Sequence, residues 1–381
     1  MLLEADADPE PELPYDLYAP ERLPTFKLTL EPHAEQQLRE DARSYVPASL
    51  ELVEGETTER LTVGVRLKGN GSFRTLDGKA GFRIKIDKYV KDQRLRGLKD
   101  LTLNNMIQDR SLMAERLAYT AFRELGLPAS RVNHALVYVN EAYFGVYANI
   151  ETPNEDFLAR WFEDASRNLY EQSGRDFDHR DAVASFQLET NKKSEDERSL
   201  LHALHDACTA SDLDRARELV DWPKFLLFSA LEAALNQVDG YSYAQTVPNN
   251  YRIYDSATGA VFIPWGLDWS LSNVTTQDGS HYVDPFWVRA SHGVLIRMCL
   301  ADEACTDEYS AAIRTVAQRW DALELEAHMD RWSKQIDEAF LKDDRREANV
   351  QEALESRELR RGIIRERART LLEAIERHNP A

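Results

Sequence analysis

A strand, a glycine-bearing reversal and a second strand follow one another between residues 61 and 87, and this run restricts the fold more than any other part of the chain. Leu61-Thr-Val-Gly-Val-Arg-Leu67 and Gly81-Phe-Arg-Ile-Lys-Ile-Asp87 both alternate apolar and polar side chains, the period-two signature of half-buried strands. Between them lies Lys68-Gly-Asn-Gly-Ser-Phe-Arg74. Gly69 and Gly71 permit a tight reversal and, with Ser72, let backbone N–H groups approach an anion. The segment reads as a phosphate-covering hairpin. Arg83 and Lys85 share one face of the second strand, opposite Phe82, Ile84 and Ile86. Lys79, Arg83 or Lys85 is expected to contact phosphate; the ordinary alternative is a solvated face.

Further strands are expected at 23–30, 101–103, 134–139 and 143–150, completing an antiparallel β-rich unit over 25–152. A helix is expected over 111–125, capped by Asp109 or Ser111 and stopped at Gly126 and Pro128. Cap and turn duties account for Asn104, Asn105 and Asp109. Glu115 is expected to face solvent, although a helix-borne Glu can also pair with a phosphate-binding lysine. Residues 1–24 are acidic and Pro-rich and read as a leader or linker. From 153 to 308 the text is mainly helical, with helices near 154–164, 194–209, 212–220 and 222–236. A charged helical subdomain follows over 309–381.

Within the second unit, Gln237-Val-Asp-Gly-Tyr241, Pro248-Asn-Asn-Tyr-Arg252 and Ile263-Pro-Trp-Gly-Leu-Asp-Trp-Ser270 come in quick succession. Tyr251–Tyr254 and Val261–Pro264 read as a hairpin, which brings Asn249 and Asn250 to the same end as Asp268. An isolated acid, paired carboxamides and a second acid leaving an apolar strand are the parts phosphoryl transfer from ATP requires. Asp239 would be the base; Asp268, with Asn249 or Asn250, would hold metal. Singly these residues are ordinary, since Asp-Gly is a common turn and Asn-Asn a common loop. Asp268 raises their joint weight, because an acid emerging beside Trp265 and Trp269 needs a partner. Glu151, ending a strand, would offer backbone donor and acceptor groups to a purine.

Other chemistries fit less well. Asp+Glu 66 against Lys+Arg 47 gives a formal charge of −19, which disfavours nucleic-acid polymers and anionic lipid surfaces. No HExxH, HxH or GxSxG run occurs. The cysteines are Cys208, Cys299 and Cys305; they build no zinc site, and a Cys299–Cys305 bridge and free thiols are both open. No apolar run reaches the roughly 20 residues of a transmembrane helix. The Arg-rich stretch 357–369 is interspersed with Glu and reads as a solvated helix face.

Taken in order, Arg66-Leu-Lys-Gly-Asn-Gly-Ser72, Gly81-Phe-Arg-Ile-Lys85, Leu103-Asn-Asn105 with Asp109, Tyr143-Phe-Gly-Val-Tyr147 with Glu151, Asn168-Leu-Tyr170, Asp239-Gly-Tyr241, Asn249-Asn250 and Trp265-Gly-Leu-Asp268 resemble the CotH spore-coat kinase family. The resemblance spans about 25–300. It implies an α+β, atypical protein kinase-like bilobal fold, with an antiparallel β-rich N-lobe over a mainly helical C-lobe. It also implies ATP- and Mg²⁺-dependent (or Mn²⁺-dependent) phosphorylation of Ser or Thr in coat or surface proteins. Asp239 matches the family's catalytic aspartate, Asp268 its metal-binding one, Asn249 and Asn250 its paired asparagines, and the glycine hairpin its nucleotide-proximal loop. HRDxxxxN and DFG are absent, and Asn249 lies ten residues after Asp239, where ordinary protein kinases place their asparagine five later. The alternatives are AMP transfer on the same fold and an inactive coat or surface scaffold. An extracytoplasmic location is favoured over a cytoplasmic one.

Overall fold

Val63, Val65 and Leu67 are buried while the residues between them lie toward the opposite face, so the period-two text becomes a strand whose apolar side faces an interior. In the computed structural model, which describes residues 16–172, 174–192, 196–273 and 282–378, seven strands share that interior. They are β1 (Thr25–Thr29), β2 (Val46–Glu54), β3 (Thr57–Lys68), β4 (Gly81–Lys85), β5 (Asp100–Asn104), β6 (Val132–Val139) and β7 (Ala142–Ile150). They close into a barrel ordered β1-β2-β3-β4-β5-β7-β6. The neighbours are antiparallel except at the β1–β6 seam, which is parallel. The expected antiparallel sheet is thus a closed barrel, and closure removes its edges. Phe26, Leu50, Val65, Phe82, Leu101 and Val137 fill it.

Asn140 and Glu141 link β6 to β7, both with positive φ (47° and 67°), as a two-residue hairpin turn requires. α1 (Pro32–Glu40) lies after β1, and α2 (Ala114–Glu124) lies between β5 and β6. Asp109 caps α2 by accepting Ala114 N at 2.7 Å and Ser111 N at 2.9 Å. Gly126, at φ 77°, ends the helix as expected.

A second, antiparallel sheet has the order β11-β10-β8-β9. Its strands are β8 (Leu169–Gln172), β9 (Gln187–Leu188), β10 (Tyr251–Ser256) and β11 (Gly259–Pro264). β10 and β11 form the expected hairpin, with Tyr251 opposite Pro264. Around this sheet pack α3 (Glu155–Trp161), α4 (Ala182–Ser185), α5 (Ser199–Ala210), α6 (Leu213–Leu219) and α7 (Trp222–Ala234). α8 (Val294–Leu300), α9 (Glu303–Arg319), α10 (Leu325–Leu341) and α11 (Val350–His378) complete a mixed α+β fold. A continuous core joins α2, α7, α9 and α11.

Cys299 and Cys305 are disulfide-bonded across the α8–α9 junction, and Cys208 is a buried thiol. Of the acidic, Pro-rich leader, residues 1–15 lie outside the described residues, and the following stretch is packed rather than loose. Leu17 and Tyr18 are buried, and Asn133 and Arg116 bond the carbonyls of Leu17 and Pro20. Among the described residues no helix is long and apolar enough to cross a membrane.

Candidate functional site

β3 ends at Lys68, directly opposite Gly81 on β4. A Cβ on Gly81 would lie 3.0 Å from Lys68 Cγ, so the missing side chain makes room for the lysine stem. Lys68 Nζ donates to Asn104 Oδ1 at 3.0 Å, and Asn104 Nδ2 donates to Glu115 Oε2 at 2.7 Å. Asp268 lies beside the same Asn104 amide, which draws its carboxyl pKa down. One carboxamide at the end of β5 therefore joins a lysine from β3, a glutamate from α2 and an aspartate beyond β11. Burial raises the pKa of Glu115, and the nearby Asp268 raises it further. Burial likewise raises Asp268, opposed by Lys68, while it lowers Lys68 itself. Two acids and one cation held out of water in this way favour any further cation that enters.

Asp239 follows α7 on a loop fixed from behind. Glu232 accepts Tyr241 N at 3.0 Å and Ser242 N at 2.6 Å. Burial pushes the Glu232 carboxyl up to about 7. In front, Asn249 Nδ2 reaches Asp239 Oδ1 at 3.2 Å and Asn250 Nδ2 reaches Oδ2 at 2.6 Å. Donation by both amides sets their orientation and counters the upward pull of burial on Asp239. The two clusters meet at Gly266. Asn250 fills the space a Cβ there would need, 2.8 Å from its Cγ, and Gln237 Nε2 donates to Gly266 O at 3.4 Å. Gly266 and Asn250 are both left-handed, at φ 56° and 49°, so the backbone is constrained where the clusters touch.

The remaining expected residues fall in three places. Arg83 and Lys85 lie on the outer face of β4, lining a cleft of about 810 Å³ with Tyr45, Arg66, Asn154 and Glu189. Arg83 is 3.7 Å from Glu189. Gly69, Gly71 and Ser72 lie in the loop after Lys68, and Asn105 Nδ2 bonds Ser72 O at 2.9 Å. Two expectations need correction. Lys79 does not face the cluster at Lys68; it is buried against Asp343, beyond α10, because that carboxylate compensates the ammonium for the water it has lost. Glu151 does not present a free backbone donor: its N–H bonds Arg131 O at 2.9 Å, and its carboxylate is held by Arg131 and Arg160.

Lys68 and Glu115 are the residues whose place sequence reasoning misses. Kinase analogy puts the lysine after the glycine loop, whereas here it is the last residue before it. The signal that could have found it is a lysine on the polar parity of β3 facing a glycine. Glu115 is 2 % exposed, not solvent-facing.

The site's donors suit a hard cation. Asp268 is a buried carboxylate, Asn249 and Asn250 bring carboxamide oxygens, and the buried Gln237 Oε1 has no hydrogen-bond partner. Among the described residues no three His, Cys, Asp or Glu side chains form a metal cage. Mg²⁺ fits this sparse oxygen set, since it commonly takes one or two carboxylates and completes its shell with water and phosphate.

The mixed α+β fold thus places a lysine–carboxamide–acid cluster beside an aspartate clamped by two amides. The sequence model of the family described as CotH kinase protein matches residues 65–371, and the chain belongs to that family. The inner spore coat protein H of Bacillus subtilis (strain 168) is 25% identical over 265 residues, covering 65% of this chain and 68% of that protein. Among solved structures, the HipA–HipB–operator DNA complex of the Shewanella oneidensis MR-1 toxin–antitoxin system overlaps 94% of this chain and 72% of its own. Its identity is 11% and its TM-score 0.32, too low to define a shared fold.

Proposed function

We propose that the chain is a bilobal, atypical kinase that transfers the γ-phosphoryl group of ATP to Ser or Thr hydroxyls of coat or surface proteins. The barrel serves as N-lobe and the helical remainder, with its four-stranded sheet, as C-lobe. The observation that carries this reading is the buried chain Lys68–Asn104–Glu115 meeting Asp268. Lys68 would neutralise phosphate oxygens, with Glu115 holding it through Asn104. Asp268, and Asn249 or Asn250, would hold Mg²⁺ or Mn²⁺, which when bound offsets charge on the transferring group. Asp239, half-buried and clamped by two amides, would orient the acceptor hydroxyl and accept its proton. Gly69, Gly71 and Ser72 would cover the phosphates, and Arg83 and Lys85 would face the rest of the nucleotide from the cleft.

A coat or surface setting is supported by the spore-coat name of the Bacillus relative and by the Cys299–Cys305 bridge, because disulfides persist mainly in oxidising compartments. The test is a split between two acids. Asp268→Asn is expected to abolish Mg²⁺-dependent ATP binding in calorimetry. Asp239→Asn is expected to retain binding and lose transfer. Equal loss of binding in both variants would contradict these roles.

A further inference from the structure

The loop joining β3 to β4, residues 69–80, is gripped from two sides. On the side of the site, Asn105 Nδ2 donates to Ser72 O at 2.9 Å and to Lys79 O at 2.7 Å, and Asn105 adjoins the Asn104 that binds Lys68. On the far side stand residues 342–349, the connector from α10 to α11. Asp343 takes the buried Lys79 ammonium. Arg345 Nη1 donates to the carbonyls of Asp77 at 2.8 Å and Gly78 at 3.0 Å, while its guanidinium lies 4.0 Å from the Phe144 ring centroid. Glu347 pairs with Arg74, one contact being 2.7 Å.

The connector is itself anchored on the barrel wall. Asp343 is fully buried and sits where β7 has a glycine: a Cβ on Gly145 would lie 1.9 Å from Asp343 Oδ2. Tyr143 Oη donates to Ala339 O at 3.0 Å, fixing the end of α10 beside it. Three successive odd-numbered residues, 343, 345 and 347, thus each hold a different part of one loop. Barrel closure through the β1–β6 seam does not involve them.

We propose that this connector is a strut that orders the glycine loop before nucleotide arrives, with Arg345 as its positioning residue. The consequence for nucleotide rests on the kinase reading given above. A loop already ordered loses less entropy on binding, so the strut acts on ATP affinity while the reacting groups are left in place. The C-terminal helices are then part of the active enzyme and not a separate structural appendage.

The experiment compares wild type with Arg345→Ala, Arg345→Lys and, at the exposed pair, Glu347→Ala. Hydrogen exchange of residues 69–80 is read without nucleotide, and KM for ATP is read against kcat. Arg345→Ala is expected to speed exchange in the loop roughly tenfold while β6 and β7 stay protected. It is expected to raise KM for ATP about five- to tenfold with kcat changed less than about twofold. Arg345→Lys, which keeps one donor group, is expected to fall between. Glu347→Ala, expected to fold normally, should shift both readouts in the same direction by less. Unchanged loop exchange overturns the strut, as does faster exchange with unchanged KM in an active enzyme. A wild type without ATP affinity sinks the kinase reading instead, and the exchange measurement still decides the strut.

Discussion

Glu232 Oε1 occupies the space where a side chain on Gly240 would begin: a Cβ there would lie 2.0 Å away. Gly240 has no left-handed φ, so the constraint is room, not backbone freedom. The close approach lets one carboxylate hold Tyr241 N and Ser242 N and so fixes the loop that presents Asp239. Gly240→Ala is therefore expected to lower kcat at least about tenfold through displacement of Asp239, with a smaller effect on ATP affinity. Steady-state kinetics decide it; an unchanged kcat would mean that the carboxylate does not position the loop.

The same glutamate makes stability depend on pH. Burial raises it from 4.5 to about 7, so between those values the folded chain keeps a proton that the unfolded chain has released. Its stability contribution is fullest below about pH 4.5 and is lost as pH rises through 7, by on the order of 3 kcal/mol. Glu232→Gln removes this group's titration. The stability of wild type relative to Glu232→Gln is expected to fall between pH 5 and pH 8 in urea unfolding, and a rise would refute the assignment.

Lys68 and Lys79 should fail in different ways. Lys68→Met is expected to reduce transfer about a hundredfold or more with the fold retained, since on the kinase reading its ammonium neutralises phosphate charge. Lys79→Met leaves the Asp343 carboxylate buried without its cation and is expected to destabilise by about 3–5 kcal/mol. Thermal melts and kinetics on both variants check this. The reverse pattern would return the phosphate contact to Lys79.

Local pattern makes much of this fold legible in the sequence itself. The β3–loop–β4 run, the β10–β11 hairpin and the helix after Asp109 follow from periodicity and caps, and the hairpin brings Asn249, Asn250 and Asp268 to one end. What periodicity does not encode is which neighbour a polar residue meets across the fold. Asn104 reads as a turn residue because its three partners come from residues 68, 115 and 268. Lys79 reads as phosphate-facing because its true partner, Asp343, lies 264 residues away. Barrel closure is hidden for the same reason, since it depends on a parallel seam between two strands distant in sequence.

Glu115 carries a trade-off between stability and function. As an acid it is disfavoured by burial and by Asp268, so Glu115→Gln is expected to raise stability at pH 8 by about 1 kcal/mol or more. Transfer is expected to fall, because Lys68 loses the charge that holds it through Asn104. Chemical unfolding and initial rates read the two effects; loss of stability together with full activity would show a purely structural glutamate.

The most direct test is incubation of the purified protein with γ-labelled or α-labelled ATP, Mg²⁺ or Mn²⁺ and a Ser-rich protein acceptor, with Asp239→Ala as control. The kinase account predicts transfer of the γ label alone, lost in the variant. Transfer of the α label would instead establish nucleotidylation, and absence of both label and nucleotide binding would contradict catalysis by this site and leave a scaffold.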